Sequence, residues 1–256
     1  MQTLLNAWAW SETVLTVIVG FPVWVLVFLC TAPFDKGRYA AGRTFRLIAV
    51  TTIRLNPLWR FSVEGQGPPD PRRPYVVVSN HESYADVFLI SMFPWEMKWM
   101  AKTTIFNIPL MGWMMRYSLD IPVKRGDREG AMQAINDARD RLARKVSIMA
   151  FPEGTRSRTR EMLPFKDGAF KLAIEFGAPI LPIAVAGTRQ AMAKGSFQFR
   201  HARAKARVLA PIETAGLKGT DMAALKARTR AVIEEGRQAI ARELGVEVGG
   251  DEPATA

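Results

Sequence analysis

An uncharged apolar segment near the start of the chain constrains its fold most strongly. No charged side chain lies between Glu12 and Asp35, and the intervening "TVLTVIVGFPVWVLVFLCTAPF" is long enough to span a bilayer or to lie deep within one. Gly20 and Pro22 are tolerated in a membrane helix, but they can also bend the chain into a re-entrant hairpin. A buried core helix is the alternative, although such helices usually have shorter apolar runs. The segment therefore predicts a membrane helix within residues 13–34.

Positive charge follows this segment rather than precedes it. Arg43, Arg46 and Arg54 are interspersed with the apolar residues of Tyr39–Trp59, as in an interfacial helix whose arginines extend toward lipid phosphates. We therefore predict a two-helix membrane anchor, transmembrane or re-entrant, at residues 1–60. If the first helix spans, the basic residues after it predict that the rest of the chain is cytoplasmic.

The net charge of +11 predicts an anionic partner. Nucleic acid, an anionic membrane surface and a phosphorylated small molecule all fit this charge. The basic run "FRHARAKAR", Phe199–Arg207, lacks the interleaved aromatic residues of a nucleic-acid platform, and it suits lipid headgroups or substrate phosphates better. We interpret His201 within it as a surface residue. Cys30 is the only cysteine, so no internal disulfide forms, which agrees with a reducing compartment.

Beyond the Gly- and Pro-rich segment Glu64–Pro74, short apolar runs alternate with longer helical patterns. Helices are predicted at Asp127–Lys145 and Asp221–Leu244. This alternation predicts an α/β fold with a mixed, largely parallel sheet flanked by helices, in a domain at 61–247 followed by a disordered tail at 248–256. The predicted strands are Tyr75–Ser79, Lys98–Ala101, Leu119–Val123, Val146–Phe151, Ile180–Ala186 and Ala206–Ala210.

The stretch "SNHESYAD" follows the first of these strands, where ligands gather in open α/β sheets. We expect His81 to precede the first turn of a helix that contains Asp86, whose carboxylate can then orient the imidazole of a general base. A purely structural role at the helix start is the alternative. The chain has no G-x-S-x-G nucleophile, so such a base would deprotonate a substrate hydroxyl, as in acyl transfer to an alcohol. No metal site is predicted, because two histidines and one cysteine match no zinc spacing.

A second polar stretch, "FPEGTRSRTR", follows the apolar run "VSIMA". This stretch places a carboxylate, a flexible backbone, a hydroxyl and a guanidinium on one loop, in Glu153, Gly154, Thr155 and Arg156. Such a loop suits phosphate binding. A polar turn held by local salt bridges is the alternative.

A third basic site, "IPVKRGD", ends another predicted strand with Lys124 and Arg125. The two cations form a second candidate phosphate clamp, although basic residues at this position are often merely solvated.

"NHESYAD", "IPVKR", "FPEGTRS" and "APILPIAV", in this order, resemble the four sequence blocks of the glycerolipid acyltransferase superfamily, in particular its bacterial 1-acyl-glycerol-3-phosphate acyltransferases. The resemblance spans residues 80–185. It implies transfer of a fatty acyl group from acyl-coenzyme A or acyl-carrier protein to the 2-hydroxyl of lysophosphatidic acid, which makes phosphatidic acid. It further implies a membrane-embedded amino-terminal helix pair, which the charge pattern of residues 1–60 suggests independently, and so membrane lipids as partners at the inner membrane. We expect no cofactor and no nucleic acid, and a catalytic domain on the cytoplasmic side if the first helix spans.

Carried over residue by residue, the resemblance implies that His81 is the catalytic base, that Asp86 orients it and that Arg125 contacts phosphate. The acceptor-binding loop would comprise Glu153, Gly154 and Arg156. Two positions depart from the pattern: Leu119 stands where the family usually has Gly, and Pro122 replaces an aromatic residue. The same chemistry on another lysophospholipid or on glycerol 3-phosphate stays open. A catalytically inactive lipid-binding scaffold is disfavoured, because both His81 and Asp86 are present.

Overall fold

A computed structural model describes residues 2–65, 67, 73–124, 126–193 and 195–249 of the chain. Of the predicted tail, residues 250–256 lie outside this range. Val248 packs on a small apolar cluster, and the backbone N–H of Gly249 donates to the carbonyl of Arg160 at 3.2 Å. The described end of the chain is therefore in contact with the rest of the domain.

Two helices form the N-terminal segment: α1, Gln2–Thr31, and α2, Tyr39–Leu55. α1 continues through Gly20 and Pro22 and forms no hairpin there. By length and composition it is the one helix among the described residues that could cross a membrane. It packs on α2, and Gly20 permits the close approach, since a Cβ there would lie 2.6 Å from Ile48. A membrane role for this helix pair stays a prediction.

The remaining described chain forms a seven-stranded sheet with helices on both faces. Its strands are β1, Trp59–Glu64; β2, Val76–Ser79; β3, Met97–Lys102; β4, Ile121–Val123; β5, Ser147–Ala150; β6, Ile180–Ala186; and β7, Ala202–Val208. The further helices are α3, Ala85–Ser91; α4, Met111–Tyr117; α5, Arg128–Ala143; α6, Gly168–Phe176; α7, Thr188–Ala191; and α8, Met222–Leu244, with short 3-10 helices at Thr103–Asn107 and Gly219–Asp221.

The strand order is β1-β7-β6-β2-β5-β3-β4, and the β6–β7 pair is antiparallel while the other pairs are parallel. The mixed, largely parallel sheet predicted from the sequence is confirmed. Val76 and Val78 face the core beneath α5, α6 and α8, whereas Val77 faces the core beneath α3. β2 therefore lies at the centre of the sheet, buried on both faces.

Two parts of the predicted sheet are wrong. β1 was not predicted, and Trp59 and Arg60 belong to this edge strand rather than to the anchor. The last strand begins at Ala202 instead of Ala206, so the basic run predicted as an anion-binding surface is largely β7. Within it Lys205 and Arg207 pair with Glu64 and Glu243, whereas His201 is exposed as predicted.

The predicted orientation of Arg46 is also wrong. Its side chain does not extend toward lipid: it is buried and forms ion pairs with Asp120 and, at 3.8 Å, with Glu96. Lys98, which is also buried, donates to Glu96 at 3.0 Å and so balances the second carboxylate. Buried charges persist only when they are paired. This cluster therefore fixes α2 to β3 and to the loop before β4.

Candidate active site

Three neighbouring parallel strands, β6, β2 and β5, end at the same edge of the sheet and place the candidate residues side by side. His81 follows β2, Glu153 follows β5 and Thr188 follows β6. As predicted, His81 precedes α3 and Asp86 lies within this helix, in its first turn.

His81 and Asp86 are in direct contact. The imidazole Nδ1 lies 2.7 Å from Asp86 Oδ2, in a site where Asp86 is fully buried and the His81 side chain is 11% exposed. The imidazole also stacks on Phe151, with ring centroids 3.8 Å apart and planes inclined by 12°. Because a carboxylate accepts the Nδ1–H, Nε2 is the ring nitrogen available to take a proton.

The Asp86 carboxylate is held by further donors. Oδ2 accepts the backbone N–H groups of Glu82 at 2.8 Å and Ser83 at 3.0 Å, and Oδ1 accepts the hydroxyl of Thr188. Hydrogen bonds of this kind favour the ionised carboxylate and fix its orientation. Thr188 was not predicted, since it lies 102 positions from Asp86 and only the fold brings the two together.

The loop that carries His81 is tethered at each residue from Asn80 to Ser83. Asn80 exchanges hydrogen bonds of 2.9 Å with the backbone of Val185, and the Ser83 hydroxyl donates to the carbonyl of Met192 at 2.8 Å. The His81 N–H donates to Glu153 Oε1 at 2.7 Å. The imidazole is therefore held in place through contacts with β6, with the residue that follows α7 and with the loop that follows β5.

Glu153 uses both carboxylate oxygens on backbone amides, because Oε2 accepts the N–H of Leu163 at 2.8 Å. Burial raises the pKa of this carboxyl to about 7, and the two amide donors oppose the shift. In the structure Glu153 shapes the loop between β5 and α6. Its implied part in acceptor binding stays a prediction.

Gly154 and Arg156 complete that loop. Gly154 has a φ of +72°, and a Cβ there would lie 2.7 Å from Lys166 Nζ, so glycine is strongly favoured at this turn. Thr155 lies between them and is partly buried. The Arg156 guanidinium stacks on Tyr84, 3.6 Å from the ring centroid. Since Tyr84 belongs to the His81 loop, the stack holds the guanidinium near the His81–Asp86 pair.

The second predicted phosphate clamp lies farther away. Lys124 follows β4, three strands from β2, and it is exposed and paired with Asp127 at 2.8 Å. Arg125 lies outside the described residues. Leu119, which stands where the family has Gly, has a φ of +67°. The backbone conformation that favours glycine is therefore kept here by a leucine.

Comparison with known proteins places these residues in a family. The family model described as Acyltransferase matches residues 60–186. A 1-acyl-sn-glycerol-3-phosphate acyltransferase alpha from Ovis aries is 31% identical over 81% of this chain and 74% of its own length. A chloroplastic 1-acyl-sn-glycerol-3-phosphate acyltransferase from Brassica napus is 34% identical over 57% of this chain, but the match spans only 42% of that relative.

Among solved structures, the 1-acyl-sn-glycerophosphate acyltransferase from Thermotoga maritima superposes with a TM-score of 0.80. The match covers 97% of this chain and 98% of that one at 24% identity, which shows a common fold. The relative from Ovis aries adds sequence identity over most of both chains. The chain belongs to the acyltransferase family.

Proposed function

We propose that this protein transfers a fatty acyl group to the 2-hydroxyl of 1-acyl-glycerol-3-phosphate, giving phosphatidic acid. The observation that carries the proposal is the buried His81–Asp86 pair, 2.7 Å apart, at the strand ends of an acyltransferase fold. The names of several relatives, which describe this same acyl acceptor, support the choice of substrate.

The geometry supports a mechanism without a covalent enzyme intermediate. His81 Nε2 accepts the proton of the acceptor hydroxyl while the oxygen of that hydroxyl attacks the carbonyl carbon of an acyl thioester. Asp86 stabilises the imidazolium that forms. As the tetrahedral intermediate collapses, the C–S bond breaks, and the imidazolium returns the proton to the leaving thiolate. The products are a new ester and a free thiol, and either acyl-coenzyme A or acyl-carrier protein supplies the thioester.

Arg156 is the cation that we assign to the acceptor phosphate. Its planar guanidinium can bind two phosphate oxygens at once, and the Tyr84 stack already restricts its position. We expect Arg156→Ala to lower kcat/KM for lysophosphatidic acid by roughly 30- to 150-fold, the equivalent of about 2–3 kcal/mol. Arg156→Lys should recover only part of this loss, because the fork is absent. Steady-state rates of phosphatidic acid formation measure both effects.

An acceptor series and a matched variant make this test specific. Arg158→Ala removes the same charge from the same loop at an exposed position and should change the rate much less. The loss in Arg156→Ala should depend on the phosphate, so it should nearly disappear with an uncharged monoacylglycerol acceptor. An equal loss with both acceptors would show that Arg156 supports the loop and not the phosphate. The same assay with glycerol 3-phosphate and other lysophospholipids separates the remaining acceptors.

We also propose that α1 lies within one membrane leaflet. It contacts the sheet domain in both of its halves: Trp10 donates to the carbonyl of Phe197 at 3.0 Å, and Trp24 donates to the Ser118 hydroxyl at 3.1 Å. The two tryptophans lie about 21 Å apart along the helix, whereas a bilayer core is about 30 Å thick. If α1 crossed the bilayer, the loop that contains Phe197 or the loop that contains Ser118 would lie in the hydrocarbon region, where unpaired backbone groups are costly.

The outer face of α1 carries the apolar surface that lipid would cover. Its exposed side chains include, at helical spacing, Leu4, Trp8, Leu15, Ile18, Leu26 and Leu29. A position of the catalytic domain on the cytoplasmic side of the inner membrane stays a prediction, because the basic residues after α1 set the orientation only of a helix that spans.

Cysteine labelling from inside sealed vesicles tests this arrangement. The two positions are native Cys30, which is exposed, and Thr3→Cys in a Cys30→Ser background. In proteoliposomes with the catalytic domain outside, an impermeant maleimide trapped in the lumen should label neither position. Labelling of Thr3→Cys from the lumen, with Cys30 labelled only from outside, would show instead that the helix crosses the bilayer.

A further inference from the structure

A buried arginine on the last helix lies directly behind the catalytic loop. The side chain of Arg237, on α8, is 3% exposed, and no sequence pattern marked it. Its Nη1 lies 3.3 Å from Glu82 Oε1 and also donates to the carbonyl of Arg160 at 2.7 Å. Nε and Nη2 donate to the two oxygens of Glu234 at 2.9–3.1 Å. One guanidinium therefore joins α8 to two separate loops.

These two loops carry the proposed chemistry. Glu82 is the residue after His81, and its backbone N–H donates to Asp86 at 2.8 Å. Arg160 ends the segment that begins with Glu153 and contains Arg156. The loops also meet through the Ser157 N–H, which donates to the His81 carbonyl at 3.2 Å, through the bond from the His81 N–H to Glu153 and through the stack of Arg156 on Tyr84.

Glu82 depends on this arginine. Its carboxyl is buried beside Asp86, and both features raise its pKa, to about 7, while the charge of Arg237 opposes the rise. Without the guanidinium the carboxyl would lack its closest cation, and the backbone around His81 would lose a fixed neighbour. Removal of one partner from a buried ion pair is costly because the other partner stays buried.

We propose that Arg237 is a positioning residue for the acyl transfer: it couples the loop of the base to the loop of the acceptor phosphate through Glu82 and the Arg160 carbonyl. Its contacts are with Glu82, Glu234 and the Arg160 carbonyl rather than with the imidazole, so it acts through these partners. The kinetic part of this inference rests on the proposed function. The planar fork is required, since a lysine ammonium cannot reach Glu82, Glu234 and the carbonyl in the same arrangement.

Kinetics per folded molecule supply the first test, in the full-length protein in detergent or vesicles. Arg237→Met should lower kcat by roughly 10- to 100-fold, as expected when a catalytic group is displaced by about 1 Å, while KM for the acyl donor changes little. Arg237→Lys should restore part of kcat. The matched control is Arg230→Met on the same helix: Arg230 donates to the Met162 carbonyl of the same loop at 3.0 Å, and no contact joins it to Glu82. Its loss should be several-fold smaller.

A double variant tests the coupling itself. Glu82→Gln keeps an oxygen that can accept from Arg237, so we expect a modest loss and a folded protein. If Arg237 acts through Glu82, the double variant Glu82→Gln/Arg237→Met should be no slower than Arg237→Met alone. Multiplied losses would contradict the proposed route.

The state of His81 can be read without any substrate. The chain has two histidines, and His201 is exposed, so ¹⁵N-histidine NMR reports each ring. Arg237→Met should shift or broaden the His81 ring signals and leave those of His201 unchanged. Unchanged His81 signals together with unchanged kcat per folded molecule, whatever the melting temperature, would overturn the inference. A wild-type protein that forms no phosphatidic acid would instead refute the proposed function, and the NMR result would still decide the positioning role.

Discussion

Replacement of His81 by alanine should lower turnover per folded molecule by about 10²–10⁴-fold, the usual effect of removing a general base. The imidazole can take up the proton of an attacking hydroxyl at Nε2, because its Nδ1 lies 2.7 Å from the Asp86 carboxylate. Acyl-donor binding should persist because the variant leaves the loops in place. Phosphatidic acid formation, normalised to the folded fraction from thermal melting, measures the effect.

His201→Ala is the matched control, since it removes the other histidine of the chain from an exposed position. It should retain normal turnover. The stack of His81 on Phe151 is lost in His81→Ala, so a small decrease in melting temperature is expected there. A large decrease in melting temperature with near-normal turnover of the folded protein would indicate that His81 only starts the helix.

Asp86→Asn should lower turnover nearly as much, again within about 10²–10⁴-fold. The substitution is close to isosteric at this site. The amide oxygen can still accept the backbone N–H groups of Glu82 and Ser83, and the amide nitrogen can donate to the Thr188 hydroxyl, which then changes from donor to acceptor. The fold is kept, but the negative charge that stabilises the imidazolium is gone. Turnover and melting temperature together distinguish this loss from unfolding.

Thr188→Val provides the comparison for Asp86→Asn. It removes one hydrogen bond from the carboxylate and keeps the charge, so its effect on turnover should be about tenfold at most. An Asp86→Asn variant with the same small loss as Thr188→Val would contradict a charge-based role. That result would assign Asp86 to loop structure alone.

The sheet and the contact between His81 and Asp86 were predictable because local signals agree with the fold. β2, β5 and β6 are short apolar runs, and each ends in polar residues that the parallel arrangement brings to one edge. The helical spacing of Ala131, Ile135, Ala138 and Leu142 likewise predicted α5. Asp86 was placed inside a helix that begins after His81, because on one continuous helix a spacing of five residues would turn the two side chains apart.

The errors in the sheet arose where one pattern concealed another. Trp59, Phe61 and Val63 alternate with polar residues, which indicates a strand. The predicted anchor included Trp59 because the helix before it is apolar and rich in arginine. In β7, alanine alternates with basic residues, and Ala204 and Ala206 are fully buried despite their small size. Both segments therefore show the alternation of side chains with a period of two that is typical of a strand.

The remaining contacts have no local signal. Arg46 meets Asp120 across 74 positions, and Arg237 meets Glu82 across 155. In sequence each is an ordinary cation on a helix, and only tertiary packing makes it a buried partner. Buried charges of this kind are recognised from the fold rather than from periodicity.

The central claim is that His81 and Asp86 act as one general base, and a double-variant measurement tests it most directly. Turnover per folded molecule is compared for His81→Ala, Asp86→Asn and the variant with both changes, with lysophosphatidic acid and a long-chain acyl-coenzyme A as substrates. We expect the double variant to be hardly slower than His81→Ala, because the carboxylate has no function once the imidazole is absent. Losses that multiply, or near-normal turnover in folded His81→Ala, would contradict the mechanism.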